Sequence, residues 1–109
     1  DFNPSIAANP AGDVFVTWAM TCPAAGSGCP NGTKNVQLRF SGKRVADAAL
    51  LGNNPTGAYG LSATSYSEFR FGDYSAVSID PVDPTRAWIT NEFFTGTTSW
   101  ATKIARIGY

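Results

Sequence analysis

Histidine is absent from this sequence, and that one absence removes a large part of enzyme chemistry. Ser-His-Asp and Cys-His arrangements, imidazole acid/base catalysis and zinc or copper sites built on imidazole are all excluded. Charge is scarce as well. Asp, Glu, Lys and Arg supply 15% of the residues, against about 25% in an ordinary globular chain. Basic and acidic residues, 8 of each, cancel. Without a basic excess there is no electrostatic footprint for DNA, RNA or an anionic membrane, so nucleic acid is not an expected partner. No apolar run approaches the ~20 residues of a spanning helix, and no charged segment followed by an apolar one opens the chain, so membrane insertion is not expected either. The first residue is Asp1 rather than Met, which reads as a processed chain or a fragment. The chemistry left is that of carboxylate, tyrosine, arginine and lysine. No metal-ligand set, cofactor motif or catalytic residue can be assigned from it.

Cysteine is nearly as rare, and the two that exist lie close together in Cys22-Pro-Ala-Ala-Gly-Ser-Gly-Cys29. Zinc would need further ligands and a redox pair would usually read Cys-x-x-Cys. A local disulfide between Cys22 and Cys29 fits best, with free thiols as the alternative. A disulfide would stabilise the fold by about 2–3 kcal/mol and would place the protein in an oxidising compartment, secreted, extracellular or periplasmic. Asn31-Gly32-Thr33 follows as a glycosylation sequon, which matters only in a glycosylating host.

Helical periodicity is nearly absent. Its single candidate, Arg44 to Leu51, is short and uncapped. The rest reads as strands: Ser5 to Asn9, Val14 to Trp18, Val36 to Phe40, Phe69 to Phe71, Ser75 to Ile79, Ala87 to Thr90 and Lys103 to Ile107, rich in β-branched and aromatic residues and punctuated by turns. These strands also repeat. Ser5-Ile6-Ala7-Ala8-Asn9-Pro10 matches Ala76-Val77-Ser78-Ile79-Asp80-Pro81. Val14 to Trp18 matches Ala87 to Asn91 after a slightly longer turn, and Val36 to Phe40 matches Lys103 to Ile107, aligning Arg39 with Arg106.

The expected fold is therefore all-β: two four-stranded antiparallel β-propeller blades, with a duplicated β-sandwich as the alternative. The first blade would cover residues 1–71, with a long connection before an outer strand at about 66–71. The second would cover 72–109 and lack its outer strand. Two blades cannot close a ring, so the ring would be completed by other copies of the chain or by remaining blades of a longer protein.

Three segments carry a family resemblance. They are Arg70-Phe71-Gly72-Asp73-Tyr74-Ser75 leading into Asp80-Pro81, then Trp88 with Asn91-Glu92-Phe93-Phe94, and Trp100-Ala101-Thr102-Lys103-Ile104. In them the chain resembles secreted sialidase-like (BNR-type) β-propeller proteins over about 40 residues, and more loosely from Pro4 to Trp18. The resemblance implies a propeller fold and secretion. The Asp-box of that family, Ser-x-Asp-x-Gly-x-x-Trp, is present only in its opening residues Ser78-Ile79-Asp80, and the catalytic arginine trio, Tyr/Glu pair and acid Asp cannot be mapped. A scaffold does not by itself imply an activity.

In an up-and-down meander alternate connections share one end. The disulfide loop (Ala19 to Lys34), the Thr95 to Ser99 loop and the Gly72-Asp73 turn would thus converge on one face, the usual ligand face of a propeller. There Arg70, Asp73 and Tyr74 could grip a sugar or carboxylate, or form a structural knot. Tyr59, Tyr66 and Trp100 sit among loop-type residues and are candidate exposed stacking surfaces. Trp18, Trp88, Phe15, Phe93 and Phe40 read as core between blades. Glu92 could serve as half of a glycosidase nucleophile pair but reads better as a solvated or ion-paired strand end. Asp80 and Asp83 could hold calcium, although Asx-Pro turns need no metal. The function expected is an extracellular recognition module for a glycan or protein ligand. The alternative is the C-terminal part of a secreted glycosidase-like hydrolase.

Overall fold

The computed structural model describes residues 2–21, 35–47, 56–64, 67 and 70–109. Among them are seven strands: β1 (Phe2–Ala8), β2 (Val14–Thr21), β3 (Val36–Lys43), β4 (Thr56–Leu61), β5 (Ala76–Ile79), β6 (Arg86–Phe94) and β7 (Trp100–Gly108). They form two antiparallel meanders, a four-stranded sheet β1-β2-β3-β4 and a three-stranded sheet β5-β6-β7. The all-β expectation holds. The candidate helix is a tight turn over its described part, with the Asp47 N–H donating to the Arg44 carbonyl at 3.0 Å.

The outer strand of the first sheet lies earlier than the expected 66–71. It is β4, whose Thr-Gly-Ala-Tyr-Gly-Leu sequence has little intrinsic strand preference. Its glycines explain why it pairs all the same. A Cβ on Gly57 would stand 2.7 Å from the Phe40 ring, and one on Gly60 would stand 3.0 Å from Leu38. The missing side chains let those two residues of β3 lie across the neighbouring strand.

The ladders keep the repeat in the first two strands of each sheet. Ala8 faces Val14 and Ala7 faces Phe15; at the matching positions Ile79 faces Ala87 and Ser78 faces Trp88. The third strands depart from the expected alignment. Arg39 stands opposite Trp18, and the position equivalent to it, opposite Asn91, is held by Lys103. Arg106 instead faces Trp88, so the two arginines are not equivalent and point to opposite faces of their sheets.

Equivalent strands of the two sheets lie side by side, β1 against β5 and β2 against β6. From the first sheet the buried face of β2 is Phe15, Thr17 and Ala19; from the second the buried face of β6 is Ala87, Ile89 and Asn91. Under the repeat, Ala87 and Ile89 correspond to Val14 and Val16, on the other face of β2. The sheets therefore pack unlike face on unlike face. The core gathers Ala19, Val36, Leu38 and Phe94, with Phe2, Tyr59, Phe71 and Phe93 around it.

Both Asx-Pro turns are buried at their first residue. Asn9 Oδ1 accepts the Asp13 N–H at 2.8 Å, and the turn closes through Gly12, at φ +89°, whose N–H donates to the Asn9 carbonyl at 2.9 Å. Asp80 Oδ1 accepts the N–H groups of Val82 and Asp83 at 2.9 and 3.2 Å. The Asx side chain thus caps each turn. Asn9 adds a link that a carboxylate could not make, as its Nδ2 donates across to the Pro84 carbonyl at 2.8 Å and to Asp13 Oδ2 at 3.0 Å. At the same end Tyr109 packs on Phe15, ring centroids 5.1 Å apart, and donates its hydroxyl to the Val14 carbonyl at 2.8 Å.

Two outcomes follow from this stitched end. Asn9→Asp keeps the cap but sets a carboxylate against the Pro84 carbonyl and the Asp13 carboxylate. It is expected to cost about 1–3 kcal/mol at neutral pH and less at acid pH, as read by urea denaturation. Burial, reinforced by the Asp13 and Asp47 carboxylates, pushes the Tyr109 phenol up to about 12. A folded-state value above the unfolded one of about 10 contributes stability that is complete below that pH and lost as pH rises toward the folded value. Stability is expected to be lost above about pH 10, with a shallower loss in Tyr109→Phe.

Candidate functional site

The end opposite the Asx-Pro turns carries the β4–β5 and β6–β7 connections, which meet. Ser67 donates from N at 2.9 Å and from Oγ at 3.0 Å to the Thr97 carbonyl, and the Phe94 N–H donates to the buried Ser62 Oγ at 2.8 Å. The Thr95 to Ser99 loop thus meets the β4–β5 connection at Ser67. Cys22, Cys29, Asn31 and most of the loop between β2 and β3 lie outside the described residues, as does Tyr66.

Arg70 and Asp73 flank a left-handed glycine. Gly72 has φ +68°, and a Cβ there would run into the Asn3 amide. Asn3 is itself at φ +49°, a conformation that Asn tolerates better than most residues. The Gly72 N–H donates to Glu92 Oε2 at 3.1 Å, Asn91 Nδ2 donates to the Asn3 carbonyl at 3.3 Å, and Phe71 packs on Phe94 with centroids 4.0 Å apart. The turn is thereby held to β1 and β6 from below while its charged side chains face water. Arg70 Nη2 meets Asp73 Oδ2 at 2.9 Å, with the arginine side chain 83% exposed. Tyr74, next in the chain, is 81% exposed. One carboxylate leaves most of the guanidinium donors open, and these match a planar anionic group.

The other expected stacking residues separate from this cluster. Trp100 is 58% exposed at the start of β7, two strands from β5 in the order β5-β6-β7. Tyr59 is not an exposed platform. It lies within β4, packs against the core and shares a hydrogen bond with Thr17 Oγ1 at 2.9 Å, and burial raises its phenol pKa. Trp88, expected in the core, is 45% exposed. Its pattern was ambiguous because alternation gives the two faces of a strand but not which of them is covered.

Glu92 holds the Gly72 amide and does not stand free as a nucleophile. Asp80 is saturated, since Oδ1 takes the two turn N–H groups while Oδ2 takes Trp88 Nε1 at 3.1 Å and Arg106 Nε at 2.8 Å. The turn N–H of Val82, then those of Asp83 and the Arg106 guanidinium, hold its carboxyl below the usual range. A carboxylate with four donors on its two oxygens has little to offer calcium. Among the described residues no cluster of acidic or sulfur ligands is placed to hold a metal. Arg106 also lies over the Trp88 ring at 5.9 Å, a cation–π contact.

Comparison with protein-family models, with curated proteins and with solved structures gives no match.

The two roles at the turn separate by substitution. Gly72→Ala is expected to lose about 1–3 kcal/mol through the left-handed backbone and the Asn3 collision, whereas Arg70→Ala should lose less than about 1 kcal/mol because the pair is exposed. Thermal melts of the two variants side by side check this.

Proposed function

We propose that the chain is a pair of β-propeller-type blades, related to the secreted sialidase-like propellers, that works as an extracellular recognition module. Its ligand is a carboxylate-bearing glycan taken at Arg70, Asp73 and Tyr74. The observation that carries the functional reading is the pairing of a rigidly mounted turn with exposed chemistry. The backbone at Gly72 is fixed by Glu92, while the Arg70 guanidinium and the Tyr74 ring stand in solvent. An acidic sugar offers a carboxylate to the first and an apolar ring face to the second.

The blade reading is supported by the packing of unlike faces. Duplicated halves of a sandwich joined about a pseudo-two-fold would bring equivalent faces together, whereas successive blades repeat one displacement and bring unlike faces together. The extracellular assignment rests on the Cys22 and Cys29 pair and on the family resemblance. Binding is favoured over hydrolysis because the Glu92 carboxylate is engaged by the Gly72 N–H at 3.1 Å.

Binding to a panel of neutral and carboxylated oligosaccharides tests the reading. Retention of the carboxylated sugars only, with at least a tenfold loss in Arg70→Ala and in Tyr74→Ala at unchanged melting temperature, is the expected result. Equal binding of neutral sugars, or an Arg70→Ala variant that binds like the parent, overturns it.

A further inference from the structure

Among the described residues each sheet has one face covered by the other sheet and one face bare, and apolar side chains hold the centre of both bare faces, with Arg39 opposite Trp18 on the first and the Arg106–Asp80 pair beside Trp88 on the second. On the first sheet Ile6 is 69% exposed, and Phe2, Pro4, Val16 and Trp18 line an open hollow of about 220 Å³. On the second, Ile104 is 66% exposed beside Trp88, and the two share a hollow of about 200 Å³ with Ala76, Ser78 and Thr90. Neither hollow gathers the charged groups that would orient a small polar ligand.

The ladder register says what kind of surface fits each of them. Trp88 stands where Phe15 stands in the first sheet, Thr90 where Thr17 stands and Ile104 where Phe40 stands. In the first sheet that face is buried, Phe15 and Thr17 being 1% and 0% exposed, and what covers it is the Ala87, Ile89 and Val77 face of the second. The equivalents of those three residues are Val14, Val16 and Ile6, which form the bare face of the first sheet. The two bare faces are therefore the unpaired halves of the interface already present inside the chain.

We propose that a second copy of this chain occupies them, seating the Ile6, Val14 and Val16 face of its first sheet on the Trp88, Thr90 and Ile104 face of the second sheet here. The proposal rests on the blade reading above and extends the internal interface by one more step of the same displacement. Such a contact is heterologous, so each copy offers one surface of each kind, and the proposal is that the series closes into a ring rather than running on as a filament.

The test uses the complete chain and light scattering. The unmodified protein is expected as a discrete closed oligomer rather than an 11.5 kDa monomer. Ile104→Glu and Ile6→Glu change exposed positions on opposite bare faces, and each is expected to remain folded by circular dichroism yet to be monomeric. Mixed together they should form a one-to-one dimer and nothing larger, because each retains the surface the other has lost. Val16→Glu and Trp88→Glu provide a second pair should either of the first fail to fold. An unmodified chain that stays monomeric into the millimolar range, variants that keep the parent mass, or a mixture that stays monomeric overturns the proposal. A monomer would assign the faces to other blades or to a different partner. Glycan binding by the same samples, with Arg70→Ala as control, reports separately on the blade-end reading.

Discussion

Burial of Phe15, Thr17 and Ala19 against Ala87, Ile89 and Asn91 is the contact on which the rest of this molecule depends. Neither sheet has a partner for that face within itself, and meanders of three or four strands need one covered face to be stable in water. The contact fixes which face of each sheet is hidden and brings the Asx-Pro turns close enough for Asn9 to reach Pro84. It also sets the β4–β5 and β6–β7 connections side by side at the other end. The proposed recognition turn is a product of that last placement. Gly72 can be clamped between Asn3 and Glu92 only because the packed sheets bring Asn3 of β1 within hydrogen-bond reach of Asn91 of β6.

The two ends are then treated differently. At one the two Asx-Pro turns are closed by hydrogen bonds that take up all the capacity of Asp80. At the other the Gly72 backbone is held while the Arg70 and Tyr74 side chains are left open. A fixed mount with exposed, rotatable groups suits recognition, because the entropy lost on binding is confined to a few side chains. The saturated Asp80, by contrast, is structural even though its sequence, two carboxylates beside prolines, advertises chemistry.

Much of the architecture was legible in the residues. The β-branched and aromatic runs gave all strands but one, and the Asn9-Pro10 and Asp80-Pro81 match located the repeat because the Asx oxygen is required by the turn itself. β4 was illegible because its signal is negative. Gly57 and Gly60 matter for the side chains they lack, and their value depends on Phe40 and Leu38 in another strand. Arg39 and Arg106 misled for a related reason, since a shared residue type carried the alignment while the ladder carried the register. At the site, Arg70, Asp73 and Tyr74 were readable as a turn with charged flanks. The roles of Asn3 and Glu92 were not, because both act through contacts with Gly72 far away in sequence.

The division between contacts within sheets and contacts between them also bears on how the chain reaches this structure. Ladder partners within each meander are separated by short stretches of chain, while the Asn9 to Pro84 and Tyr109 to Val14 hydrogen bonds join residues 75 and 95 positions apart. Closing loops of that size comes at an entropic cost that the local hairpins do not bear. Docking of two preformed sheets is thus the natural slow event in folding, and the side chains that dock, Phe15 and Ile89 among them, are the ones a nascent chain must keep from finding the wrong partner.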